Sequence, residues 1–195
     1  PQANGTKPSL GMAIRAAKNA TTLQNGDIIN NRKFQLMGDP ALTLAFPEYR
    51  VVTDSINGKA IGDDADTLKA LGKYVIKGHI ITAAGERLNN YNGTLYTAVY
   101  DKPAVKRTLG NKGDSYPADF AVEEHILFKG VQTVENGLFT ITFVVPKDID
   151  YRNGPGRISY YTANAAKDGS GFFDQVTVGG AVTAAPDDQQ GPAIQ

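Results

Sequence analysis

Cysteine and tryptophan are both missing from the 195 residues of this chain. Without cysteine there is no disulfide, no thiolate metal site and no cysteine nucleophile. Histidine occurs only twice, so a histidine-based acid or metal site has few ligands to draw on. An excess of charge is missing as well. Lys plus Arg is 20 and Asp plus Glu is 20, which leaves no basic field for nucleic acid or an anionic membrane. No apolar run approaches the roughly 18 residues of a membrane helix, so no direct membrane span is expected. There is no signal-peptide pattern, and Pro1 rather than Met comes first. We expect a sequence cut from a longer protein.

Apolar residues make up 41% of the chain, enough for a packed core. One stretch reads as helix, "NGTKPSLGMAIRAAKNATT". Ser9 or Thr6 suits its N-cap and Pro8 its start. Leu10, Ile14 and Ala17 fall on one face, broadened by Met12 and Ala16. Lys18 is placed to complement the helix dipole, and Asn25-Gly26 ends the segment. From Phe34 the period falls to two. "FQLMGDPALTLAFP" reads as short strands around an Asp39-Pro40 turn, with Phe34, Leu36, Leu42 and Leu44 as their apolar positions.

Strand patterns then recur with turn signals about every 8–12 residues and no helix between them. They are "EYRVVTDSI", "TLKALGKYVIKGHIIT", "GTLYTAVYD", the two arms of "HILFKGVQTVENGLFTITFVVP", "GRISYYTAN" and "FFDQVTVGG". Asn136-Gly137 is a strong hairpin signal between the two arms. The expected fold is mainly β: an Ig-like antiparallel β-sandwich of about seven strands, with an N-terminal helix and short strands. Candidate core residues are Val75, Ile80, Leu95, Val99, Phe139, Ile141, Phe143, Ile158 and Tyr160.

Chemistry-bearing patterns are sparse. His79 and His125 have no metal-ligand spacing to each other, and Glu123-Glu124-His125 reads as a solvated strand edge. "GDDADT", residues 62–67, gathers three carboxylates but lacks the register of a calcium loop. "AKDGSG" reads as a turn. Ser115 has no G-x-S-x-G elbow, and no phosphate loop is present. Asn4, Asn19 and Asn92 each begin an N-x-[ST] triplet, a pattern that arises easily by chance. Tyr74, Tyr91, Tyr96, Tyr100, Phe172 and Phe173 are candidate stacking faces for sugars; most of them serve equally well as core. No cofactor and no metal are expected.

"NNRKFQLMGDPALTLAFPEYRVVTDSINGK" resembles the end of the peptidase domain of gingipain-like cysteine peptidases and the junction that follows it. The likeness is greatest to the sortase-type members of type IX secretion in Bacteroidetes. "GTLYTAVYDK", "LFKGVQTVENGLFTITFVVPKDIDY" and "GRISYYTAN" resemble the following region. The resemblance implies that 1–47 is the C-terminal remnant of a caspase-like peptidase domain. It implies an Ig-like sandwich over 48–185 and a linker to a further domain over 186–195. The parent would act at the outer-membrane surface, removing C-terminal signals of exported cargo and joining the cargo to anionic lipopolysaccharide. None of its catalytic residues carries over, so this segment is expected to be non-catalytic. Its expected partners are the upstream peptidase domain and exported cargo proteins. Ser55 and Thr67, in Asp54-Ser55-Ile56 and Asp66-Thr67-Leu68, resemble O-glycosylation acceptors of such organisms. A carbohydrate-binding β-sandwich module of a cell-surface protein is the alternative.

Overall fold

A computed structural model describes residues 7–26, 28–62 and 67–183. The chain divides into two compact units, Pro1–Phe46 and Pro47–Gln195.

The first unit is built on helix α1, Leu10–Asn25. Ser9 is extended, and its hydroxyl accepts the Met12 N–H, satisfying one of the amides a helix start leaves free. Gly26, in the left-handed region at φ 64°, closes the helix through its N–H on the Thr22 carbonyl. A second short helix, α2 (Ile28–Lys33), was not expected from the sequence. The Asn31 amide ties it to α1, donating to the Lys18 carbonyl and the Thr22 hydroxyl. Lys18 lies inside the longer helix and reaches the Phe34 carbonyl rather than the helix end.

The strands expected within residues 34–47 are absent among the described residues, apart from one bridge between Ser9 and Thr43. The reason is local. Free amides at the start of α1 take the carbonyls of this segment, Leu10 N–H that of Leu42 and Gly11 N–H that of Pro40. Asp39 does hold a turn, its carboxylate accepting the Ala41 N–H at 2.8 Å. No described residue of this unit is buried. Leu23, Ile29, Phe34, Met37 and Leu42 are all exposed.

Among its described residues the second unit carries eleven strands: β1 Tyr49–Ile56, β2 Lys59–Ala60, β3 Leu68–Ala70, β4 Lys73–Ile81, β5 Gly93–Tyr100, β6 Ala104–Arg107, β7 Asp119–Val122, β8 Ile126–Val134, β9 Leu138–Val144, β10 Gly154–Ala163 and β11 Asp168–Ala181. Seven of them form the main order, β8-β5-β10-β11-β1-β4-β9. The short β2 and β3 pair at β1 and β11, and β6-β7 is a separate ribbon. Asn57-Gly58 (φ 50° and 80°) and Asn136-Gly137 (φ 51° and 72°) have the paired positive φ of tight hairpin turns.

Pairing is antiparallel except where β11 meets β1 and β3, which run parallel to it. The β1–β11 ladder is short, Tyr49 opposite Gly169 and Arg50 opposite Ser170. Side chains from strands far apart in the order meet face to face. Phe128 of β8 stacks on Phe143 of β9 at 4.9 Å between centroids. Phe139 of β9 packs on Tyr160 of β10 at 5.6 Å. The layers are therefore β9-β4-β1 and β11-β10-β5-β8. The protein is mainly β, and this order is consistent with an Ig-like sandwich.

Ile56, Ile76, Ile80, Leu95, Val99, Ile141, Ile158, Val176 and Val178 are fully buried between the layers. Each such side chain contributes about 1.5–3 kcal/mol relative to exposure. Val75 departs from the expected core. Strand alternation buries Tyr74 and Ile76 and turns Val75 outward. Tyr160 carries a phenol into this core, where it hydrogen-bonds Thr53 of the opposite layer at 2.8 Å. Burial pushes its pKa well above the usual phenol range.

Candidate functional site

The outer face of the β8-β5-β10-β11 layer carries a trough that the register defines. One row across the strands is Lys129, Ala98, Ser159 and Phe172, each opposite the next. The neighbouring row is Val131, Tyr96, Tyr161 and Ser170. On the other side Arg157 lies opposite Tyr100. Small Ala98 and Ser159 form the floor of a hollow of about 270 Å³ lined also by Lys129, Val131, Tyr96 and Tyr161; Tyr100, Arg157 and Phe172 lie outside that lining.

Tyr96 and Tyr161 are 48% and 44% exposed, their rings 6.1 Å apart at 34°. The Tyr161 hydroxyl donates to Asp168 at 3.2 Å, which fixes its ring. Desolvation and that carboxylate raise its pKa, so it stays a protonated donor. The Arg157 guanidinium lies 5.5 Å over the Tyr100 ring and pairs with Glu123. Phe172 is 66% exposed.

Of the aromatics expected as sugar faces, Tyr96 and Phe172 are thus exposed, and Tyr100 lies half-buried under Arg157. Tyr74 and Tyr91 are core residues with satisfied hydroxyls, and Phe173 packs against the core. Tyr161 was missed. Its signal was available in Tyr160-Tyr161, since adjacent strand residues take opposite faces.

His79 Nδ1 hydrogen-bonds the Asp54 carboxylate at 2.8 Å. Asp54 is the unpaired residue where the register of β1 on β4 slips between Thr53 and Ser55. No nucleophile accompanies the pair in its hydrogen bonds. Glu123, Glu124 and His125 are not assembled into a site. Glu123 pairs with Arg157 and Glu124 with Lys106, while the His125 carbonyl accepts the Asp101 N–H. Ser115 closes a loop on the Lys112 carbonyl. Among the described residues no group of three metal-ligating side chains occurs.

Ser55 lies within β1, paired with Lys77 of β4 and Ala60 of β2, and is half-buried. Thr67 is half-buried, its carbonyl accepting the Tyr74 hydroxyl. Asp63, Asp64 and Asp66, Asn4 and residues 186–195 lie outside the described residues.

A second polar cluster went unread in the sequence. Asp101, 4% exposed, pairs with Lys102 at 2.6 Å. Beside it Arg152 holds Asp150, whose pKa falls to about 2 through the guanidinium's hydrogen bonds. These groups line a cavity of about 510 Å³ with His125 and Val105.

The fold has a solved counterpart, and the likeness is to PorU. The structure of dimeric latent PorU from Porphyromonas gingivalis superposes with a TM-score of 0.62 and 25% identity over 96% of this chain. The chain spans 18% of that protein's length. Spo0M, a sporulation control protein from Bacillus subtilis, is 13% identical over 69% of this chain and 50% of its own. Its TM-score is 0.36, and this likeness carries no argument. No protein-family profile and no curated protein matches the sequence. The relation to PorU implies a larger parent chain. With no cysteine, this part holds no cysteine nucleophile. No helix among the described residues is long and apolar enough to cross a membrane.

Proposed function

We propose that this chain is a non-catalytic module of a PorU-like cysteine peptidase at the bacterial cell surface, and that it supports the peptidase domain. In this reading residues 1–47 complete that domain, 48–185 form the Ig-like sandwich and 186–195 lead to a further domain. The observation that carries it is the PorU likeness over 96% of the chain at only 18% of PorU's length. The first unit supports it too. Leu23, Ile29, Phe34, Met37 and Leu42 stay exposed, as expected of apolar side chains that another domain covers. Orientation of exported cargo, and glycan attachment at Ser55 or Thr67, belong to the same proposal.

The test is to produce the parent protein with and without residues 48–185. Loss of the module is expected to lower the peptidase domain's melting temperature and its processing of cargo. An unchanged melting temperature with unchanged processing overturns the reading.

A further inference from the structure

We propose that β9 is a docking strand. Its open edge receives an extended peptide segment of a partner protein, one that alternates β-branched residues and carries a lysine or arginine where it passes Glu135. The site rests on the strand ladder alone and not on the relation to PorU.

The backbone at this edge is open. β9 stands at one end of the strand order and pairs with β4 along one side. Gly137 bonds across to Ile80, and Val145 to Leu71 and Gly72. With a period of two, Phe139, Ile141 and Phe143 also point their N–H and C=O groups at β4. Thr140, Thr142 and Val144 therefore direct theirs away from it. Leu138 is closed by Glu135, which exchanges both backbone hydrogen bonds with it. The amides and carbonyls of Thr140, Thr142 and Val144 are left without a strand partner among the described residues.

Nothing blunts this edge. Edge strands are ordinarily protected by a charge, a proline or a bulge. Residues 138–144 read LFTITFV, with none of these, and their register on β4 has no slip. β8, at the other end of the order, carries Lys129 and Gly130 and slips against β5 between Val99 and Tyr100. One edge discourages a further strand and the other admits it.

The surroundings select the occupant. Strand addition takes its affinity from main-chain hydrogen bonds and its specificity from pockets beside the edge. A hollow of about 430 Å³ adjoins the start of β9, lined by Thr133, Glu135, Asn136, Leu138, Phe139 and Thr140. Pro146 stops the edge at its other end. At about 3.4 Å per residue the strand is about 24 Å long. That fits one peptide strand, whereas a second copy would need about 20–30 residues from each side. Glu135 makes no ion pair among the described residues. An antiparallel peptide, the more stable pairing, brings its C-terminal end to this carboxylate, and a basic residue there completes a charge-assisted hydrogen bond. Thr140 and Thr142 favour threonine or valine beside them.

The 195-residue chain is titrated by NMR with a short peptide that alternates threonine and valine and ends in arginine. A second peptide ends in glutamate instead, and a third has proline at its centre. With the arginine peptide, saturable shifts and slowed amide exchange are expected at Thr140, Thr142 and Val144. The glutamate peptide should bind more weakly and the proline peptide not at all. Thr142→Pro removes an edge donor and no bond to β4, and should weaken binding at least about tenfold. Glu135→Gln should weaken it about threefold and erase the preference for arginine. The amide spectrum of each variant reports that the sandwich stays folded; if Thr142→Pro does not fold, the proline peptide and Glu135→Gln decide. The proposal is overturned if these amides exchange slowly without peptide, if the arginine peptide leaves them unprotected, or if the proline peptide binds as well. Unchanged binding in either folded variant overturns it too, as does sedimentation showing two copies paired through β9.

Discussion

Replacing Lys102 by methionine is expected to cost the sandwich about 3 kcal/mol. The Lys102 side chain is only 13% exposed, and its ammonium donates to Asp101 Oδ1 at 2.6 Å, the Asp150 carbonyl at 2.8 Å and the Val178 carbonyl at 3.2 Å. All its protons are thereby used. The carboxylate also accepts the Lys102 N–H at 2.7 Å and the Asp150 N–H at 3.3 Å. One ion pair thus joins the end of β5, the loop before β10 and strand β11. Gly154 belongs to the same arrangement, because a Cβ there would meet the Lys102 stem at 2.5 Å. Breaking a buried pair from one side costs about 3–5 kcal/mol, since a charge stays behind in low dielectric. Two backbone donors remain on Asp101, which sets the lower end of that range. Asp101→Asn leaves the ammonium with neutral oxygen acceptors and no counter-charge, and should cost about 2–3 kcal/mol. The double variant buries neither charge, so its cost should fall short of the sum by at least about 1 kcal/mol. Urea unfolding followed by tyrosine fluorescence, with the m-value as a control, reads all three. A Lys102→Met cost below about 1 kcal/mol, or additive single costs, refutes the reasoning.

Gly78→Ala should destabilise the sandwich by about 2–4 kcal/mol or prevent folding, because overpacking forces backbone movement. A Cβ at Gly78 would stand 2.2 Å from the Val52 carbonyl and 2.3 Å from the Phe139 ring. Unaltered urea unfolding of that variant contradicts the β1–β4 register. For Asp150, a carboxyl-carbon titration should show a midpoint at about 2, and Arg152→Ala should return it toward 3.8. The sign follows from linkage. A depressed carboxylate contributes stability above its unfolded pKa and loses it as pH falls through the folded one. The pair's contribution should therefore be present above about pH 4 and gone below about 2. A midpoint near 3.8 in the unmodified chain shows that the guanidinium does not engage.

The main strands were legible because each carries its own information. Ile76, Leu95, Ile141 and Ile158 alternate with outward residues whatever their partners. Asn136-Gly137 specifies its hairpin through positive φ at both residues. Val75 was misplaced by a choice between the two faces of one alternating run, which a single strand does not decide. Tyr161 was overlooked because a Tyr-Tyr pair reads as core until one ring is assigned outward. The Asp101–Lys102 lock was out of reach for a different reason. Lys102 finds its acceptors at Asp150 and Val178, far along the chain, and no local pattern announces them. The hollow is likewise a product of register, because it needs Lys129, Ala98 and Ser159 in one row from three strands.

The segment "LTLAF" makes the complementary point. Its alternation is as regular as that of "LFTITFV", which forms β9, yet it forms no strand among the described residues. A strand is a property of a pair, and alternation states only which face a partner sheet would bury. Residues 138–144 find β4 along their whole length. Among the described residues, this segment pairs with the start of α1 through the Leu42 carbonyl and the Ser9–Thr43 bridge. Under the proposed reading the missing partner is the sheet of the peptidase domain. Amide exchange at Leu42, Leu44 and Phe46 should then be fast in this chain and slow in the parent. Fast exchange in both would mean that the alternation never had a sheet to serve, and the first unit would lose its assignment to that domain.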